Sequence, residues 1–196
     1  MALRYAKEPT NGAALVKAGM DRIGARPSPL TGRGIDFAAL QLKPPHAVYD
    51  LQADEVAAGK GLSAAHATCF RYMVHSAEGA IAAAEVHADK SGTATLLANV
   101  NYGQFVPATE SALAKLEQHE AVQAADYEVR LLRCAALALM AMWLKPDGGG
   151  ADIVYPLPPA PAGLEAEKAY NEADFLKAIK PLAEKRAASA GSGMVP

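Results

Sequence analysis

The apolar run near the middle of the second half of the chain constrains the fold more than any other segment. From Cys134 to Leu144 it reads CAALALMAMWL, between Arg133 and Lys145. A membrane-spanning helix needs about 20 predominantly apolar residues, so this run is too short to span a bilayer. The turn signal KPDGGGAD follows it, and then the β-branched and aromatic start of IVYPLPP. This order predicts a long hairpin, and a buried helix is the alternative because Ala, Leu and Met favour helices.

Read as a strand, the run is apolar on both faces, as in a strand that lies inside a sheet. One face would carry Leu137, Leu139, Ala141 and Trp143, and the other would carry Ala138, Met140, Met142 and Leu144.

A second hairpin is predicted from residues 67–89, where two strand-like runs flank the tripeptide AEG. A three-residue loop with Gly79 in a left-handed conformation pairs Ser76 with Ala80. That register places Arg71 opposite Glu85. A two-residue loop would instead place Tyr72 opposite Glu85, and the first register is preferred because it separates polar from apolar positions.

The remaining segments predict helices near both ends and one in the middle. Helical spacing or end signals occur in 11–24, after Pro107 and in 171–187, and strand patterns occur in 46–52, 93–101 and 126–133. We therefore expect an α+β fold, with a mainly antiparallel sheet built from hairpins and covered by these helices. Residues 1–188 are expected to form a single domain, and 189–196 a disordered tail.

The charge, the amino terminus and the cysteines indicate the general class of protein. The net charge is −2, from 19 basic and 21 acidic residues, so nothing in it favours binding to nucleic acid or to a membrane. The amino terminus lacks the apolar stretch of a secretory signal, and we expect a cytoplasmic protein. Cys69 and Cys134 are expected to be free, largely buried thiols.

Known catalytic and ligand-binding motifs are incomplete. HEAVQ (119–123) has Gln123 where a zinc-protease helix needs its second histidine, and neither GKGLS (59–63) nor GGGAD (148–152) has the spacing of a nucleotide-binding loop. The five histidines are scattered. We expect neither a metal site nor a cofactor.

Two groups of residues remain as site candidates. In the preferred register Cys69 lies opposite His87, which would allow a histidine to act as a base toward a thiol in amide hydrolysis or deamidation. Arg71, Arg130 and Arg133 could together bind an anion if their strands are neighbours, although pairing with Glu85 and Glu128 is the simpler expectation.

Three functions are compatible with the sequence. The leading interpretation is a non-enzymatic interaction or assembly protein, with a second copy of the chain or another protein as its partner, because two-faced apolar strands and a methionine-rich centre suit contacts. The first alternative is the Cys69/His87 amide hydrolase. The second is a small-molecule-binding domain whose cavity is lined by the aromatic residues Phe70, Tyr72, Trp143 and Tyr155.

Overall fold

The computed structural model describes residues 3–191 and has an α+β fold built on one large sheet. The nine strands are β1 Leu3–Arg4, β2 Gln41–Leu42, β3 His46–Asp50, β4 His66–Ser76, β5 Gly79–Ala88, β6 Ala94–Asn101, β7 Tyr127–Cys134, β8 Leu139–Pro146 and β9 Ile153–Pro156. The five α-helices of the described chain are α1 Gly12–Gly24, α2 Ala53–Ala57, α3 Phe105–Glu117, α4 Glu120–Ala124 and α5 Glu172–Gly191.

The sheet is mixed, and the expectation of a mainly antiparallel sheet built from hairpins is wrong. Its main order is β6-β5-β4-β3-β7-β8-β9, while β1 pairs with β7 and β2 with β4. Strand β3 is antiparallel to β4 but parallel to β7, and β1 is also parallel to β7. Parallel neighbours such as β3 and β7 need a long crossover connection between them. The prediction failed because local sequence patterns reveal hairpins but do not reveal which distant strands become neighbours.

The hairpin β4–β5 has the predicted register over most of its length but a different turn. Ser76 pairs with Gly79, so the loop has two residues and not the expected three. A β-bulge beyond Val74 then shifts the pairing by one residue, and Arg71 faces Glu85 as predicted. Gly79 has a φ of 109°, a conformation that glycine adopts without the steric cost that a side chain would impose.

The apolar run is a strand from Leu139 onward, and the helical alternative is wrong for that part. Leu137 and Ala138, which were also expected in the strand, instead lie in and directly after a short 3-10 helix, Ala135–Leu137, that connects β7 to β8. Strand β8 lies between β7 and β9 and is buried from Leu139 to Leu144. Its side chains separate as predicted: Met140, Met142 and Leu144 pack in the core under α3 and α4. Leu139, Ala141 and Trp143 pack in the core under α2 and α5. A third core forms between α1 and the β4–β5 hairpin.

The last helix is longer than its sequence pattern. The side chain of Asn171 accepts a hydrogen bond from the Asp174 N–H at 2.9 Å, which caps the amino terminus of α5. Pro181 lies inside α5, which runs on to Gly191. The predicted disordered tail, 189–196, overlaps the end of this helix, and residues 192–196 lie outside the described residues.

Candidate functional site

The ladder of the hairpin β4–β5 begins at Phe70 and Val86, one residue short of the predicted pair Cys69 and His87, and each of these two residues has other contacts. His87 Nδ1 is 2.9 Å from the backbone oxygen of Thr68, and the hydroxyl of Thr68 is 3.9 Å from Cys69 Sγ. Burial raises the pKa of the Cys69 thiol to about 11, with the nearby Glu85 carboxylate adding to the effect. A thiol with this pKa stays protonated at neutral pH, whereas a cysteine nucleophile requires a lowered pKa. The dyad stays a hypothesis that these contacts do not support.

Cys69 and Cys134 are both free and buried, as the sequence predicts. Burial also raises the pKa of the Cys134 thiol. Both thiols are therefore poor nucleophiles in the folded protein.

Two of the three candidate arginines meet, and the third points to the opposite face of the sheet. Arg71 and Arg133 both contact the carboxylate of Glu85. Arg130 is three residues before Arg133 on β7 and, because side chains alternate along a strand, faces the other way. There its guanidinium lies 4.6 Å from the ring centre of Tyr49 and 4.8 Å from that of Trp143. It also makes the expected pair with Glu128, at 3.0 Å.

The charged cluster Arg71–Glu85–Arg133–Asp50 lies on the face of the sheet that α3 and α4 cover. Arg71 Nη1 is 3.3 Å from Glu85 Oε1, and Arg133 Nη1 is 3.3 Å from Glu85 Oε2. Arg133 also donates to both carboxylate oxygens of Asp50, at 2.7 and 3.2 Å. These bonds raise the pKa of Arg133, whereas burial lowers the pKa of Arg71. The two arginine charges are thus matched by carboxylates of the protein itself.

Within this cluster Arg71 is the least well compensated group. Its side chain is 1% exposed, and Glu85 is its ion-pair partner. Its Nε and Nη2 are buried and make no hydrogen bond with any residue of the described chain. Buried polar groups normally have a hydrogen-bond partner, so these two donors require an explanation.

His46, at the start of β3, was not identified by the sequence analysis. It pairs with Arg71 in the register of β3 and β4, and it is fully buried. Both ring nitrogens lack a hydrogen-bond partner among residues 3–191. Burial lowers its pKa to about 3, and the charge of Arg71 contributes, so the ring is neutral at physiological pH. The pattern of residues around His46 does not reveal this burial, because it depends on the position of β3 inside the sheet.

His46 forms part of the wall of a cleft of about 300 Å³ between α3 and the sheet. Met73 and His75 line it from β4, and Glu110 and Glu117 line it from α3. His75 Nδ1 is 3.5 Å from Glu110 Oε1, and Glu110 Oε2 accepts the Ala80 N–H at 3.1 Å. This cleft joins a buried polar wall to an acidic rim.

The aromatic residues expected to line one cavity are divided among separate cores. Tyr72 packs under α1, together with the half-buried Phe70. Trp143 packs under α5 and Tyr155 under α3. The four side chains therefore belong to cores on both faces of the sheet.

The outer edge of β6 is the second feature with functional potential. This strand is the last in the sheet, and Thr10 pairs with Thr93, the residue directly before β6. Leu96 on β6 is 56% exposed, and Tyr102, just after β6, is 45% exposed. These are the exposed large hydrophobic side chains of residues 3–191.

Comparison with known proteins adds no relative: no protein-family model, no curated protein and no solved structure matches the chain significantly. Among the described residues, no helix is both long enough and apolar enough to cross a membrane.

Proposed function

We propose that the protein is a non-enzymatic assembly protein that forms a homodimer through the outer edge of β6. The observation that carries this proposal is the position of Leu96 and Tyr102, the most exposed large apolar side chains described, on and directly after an edge strand. Exposed apolar surface at a strand edge is typical of a site for another chain.

The composition of β6 leaves this edge open to pairing. Its sequence, ATLLANVN, has no charged residue and no proline. Charged residues and proline are the usual means by which an edge strand avoids pairing with another chain. The Ala94 N–H bonds to the Thr10 oxygen at 2.8 Å, so the segment before α1 covers the first residue of β6.

Two β-bulges restrict how a partner strand can bind. The pairing with β5 skips Thr95 and Ala98, so each is an extra residue of β6. Bulges interrupt the regular ladder of an edge, and side-chain contacts must supply much of the stability of a dimer here. Leu96 and Tyr102 provide such contacts.

A second copy of the chain suits this edge. A two-fold axis brings two copies of one strand together in antiparallel orientation, so a single uncharged edge strand can pair with its own copy. Because β6 is uncharged, its self-association involves no repulsion between like charges on the strand.

Light scattering across a concentration series tests the proposal, with Leu96→Lys as the disrupting variant. A dimer buries two copies of Leu96, and the substitution replaces them with two like charges. We expect the dissociation constant to rise by at least about 100-fold. Ala188→Lys adds the same charge at an exposed site of α5 and should leave the dimer intact.

The wild-type protein and Ala188→Lys should have twice the mass of one chain, and Leu96→Lys the mass of one chain with an unchanged circular dichroism spectrum. A wild-type mass of one chain at every concentration would refute the proposal. So would a Leu96→Lys variant that remains dimeric.

A further inference from the structure

The cleft between α3 and the sheet has features of a ligand site. Its volume of about 300 Å³ is at the lower end of the range of about 300–1,000 Å³ for small-molecule pockets. Its wall combines apolar side chains, such as Met73 and Leu113, with a few polar groups. It is lined by residues outside β6, so a ligand here would bind independently of the proposed dimer.

His46 lines the cleft, and both of its ring nitrogens lack a hydrogen-bond partner in residues 3–191. A neutral His46 ring has one donor and one acceptor, and its neighbour on β4, Arg71, has two further unpartnered donors but is not among the residues that line the cleft. A carboxylate can accept a hydrogen bond from the His46 ring, and the positive charge of Arg71, which acts on that ring, favours an anionic group there.

The electrostatic character of the cleft changes from its buried end to its rim. Arg71, the strand neighbour of His46, is a buried positive charge that acts on the His46 ring, although it is paired with Glu85. At the rim, Glu110 and the exposed Glu117 carry negative charges, and Lys43 carries a positive one. Glu110 already accepts a hydrogen bond from the Ala80 N–H, which leaves Glu117 as the freer carboxylate.

This distribution of charge discriminates between ligand classes. A simple anion would meet the carboxylates of the rim, and a simple cation would meet the field of Arg71 at the buried end. A zwitterion matches both ends. A bound metal ion is not indicated, because no three His, Cys, Asp or Glu side chains in the described part of the chain are grouped to hold one.

We propose that the cleft binds a small zwitterion of the amino-acid class. The carboxylate of the ligand accepts a hydrogen bond from His46 in the field of Arg71. Its ammonium group lies beside Glu117, and its side chain contacts Met73 and Leu113.

The first experiment measures the thermal unfolding midpoint of the full chain with each of the common free amino acids. Each is compared with its amide, which lacks the carboxylate, and with its N-acetyl form, which lacks the ammonium group. At least one free amino acid should raise Tm, by roughly 5–10 °C at about 100 times its Kd, and both derivatives should have a smaller effect. The proposal is overturned if no free amino acid raises Tm, or if either derivative of the active amino acid is equally effective.

A substitution at His46 tests the role of the buried end. His46→Leu removes two unpartnered polar atoms, so the variant should unfold at the wild-type Tm or above while losing the response to the amino acid. His66→Leu, the same change at an exposed position of β4, should keep that response. A response that persists in His46→Leu would refute the site.

A substitution at the rim gives a second test that does not depend on how the core tolerates His46→Leu. Glu117→Gln removes one negative charge from an exposed residue of α3. The affinity for the free amino acid should fall about tenfold, and the affinity for its N-acetyl form should rise. Equal changes for both ligands would contradict the placement of the ammonium group.

Discussion

Replacing Glu85 by Gln removes the ion-pair partner of a fully buried arginine. Arg71 is 1% exposed and Glu85 is 8% exposed by side chain. Arg133, in contrast, keeps Asp50 as a partner when the charge of Glu85 is lost. The structural cost therefore falls mainly on Arg71, which is left as an uncompensated buried charge.

The expected loss of stability follows from that asymmetry. Breaking a buried pair by removing one partner costs about 3–5 kcal/mol. For a chain of this length that corresponds to a fall in Tm of roughly 6–20 °C. Arg71→Met should cost less than Glu85→Gln, because Glu85 keeps its pair with Arg133.

Urea unfolding of the two single variants and of the double variant measures the effect. In the double variant the uncompensated cation is gone, so it should be more stable than Glu85→Gln alone, with a coupling free energy of about 1–3 kcal/mol. The reasoning is refuted if Glu85→Gln costs less than about 1 kcal/mol, or if the double variant loses the sum of the two single losses.

Three further outcomes are expected. In the folded protein at neutral pH, Cys69 and Cys134 should both resist iodoacetamide, and denaturation should expose two reactive thiols; rapid native alkylation of Cys69 alone would instead revive the thiol hypothesis. Asp152→Ala removes the acceptor, at 2.9 Å, of the Trp143 indole N–H and should cost about 1–3 kcal/mol in urea unfolding followed by tryptophan fluorescence; a loss below about 0.5 kcal/mol would contradict the importance of this bond. Because the folded pKa of His46, about 3, is below its unfolded value, unfolding takes up a proton at pH values between the two. The folded state therefore loses stability as the pH is lowered through this range. From pH 7 to pH 5 the wild type should lose about 2 kcal/mol more than His46→Leu, and parallel curves would show that His46 does not titrate in this way.

The features predicted correctly from the sequence depend on residues close together in the chain. The β8 strand is recognisable from its bounded length and the glycine turn that follows it. The pairing of Arg71 with Glu85 follows from polar and apolar alternation around one hairpin, and it held although the loop was one residue shorter than expected, because a bulge compensates. Hydrophobic burial favours that register more strongly than any particular turn does.

The features that the sequence did not predict depend on which distant strands become neighbours. Nothing local to HAVYD indicates that β3 lies between β4 and β7 or that His46, at its start, is fully buried. The opposite orientations of Arg130 and Arg133 follow from their odd spacing on β7, but their partners Tyr49 and Asp50 come from β3. Sequence patterns indicate the face of a strand, and the order of strands determines what that face contacts.

The distribution of buried polar groups separates two parts of the sheet. Around β8, both faces are filled by apolar side chains from Leu139 to Leu144, which is sufficient to hold α3 and α5 against the sheet. Around β3, β4 and β5, the same face under α3 contains His46, Arg71 and Glu85, whose burial costs desolvation that apolar residues would avoid. Of these three residues His46 lines the cleft, and the proposed ligand would give its ring a hydrogen-bond partner that it lacks among residues 3–191.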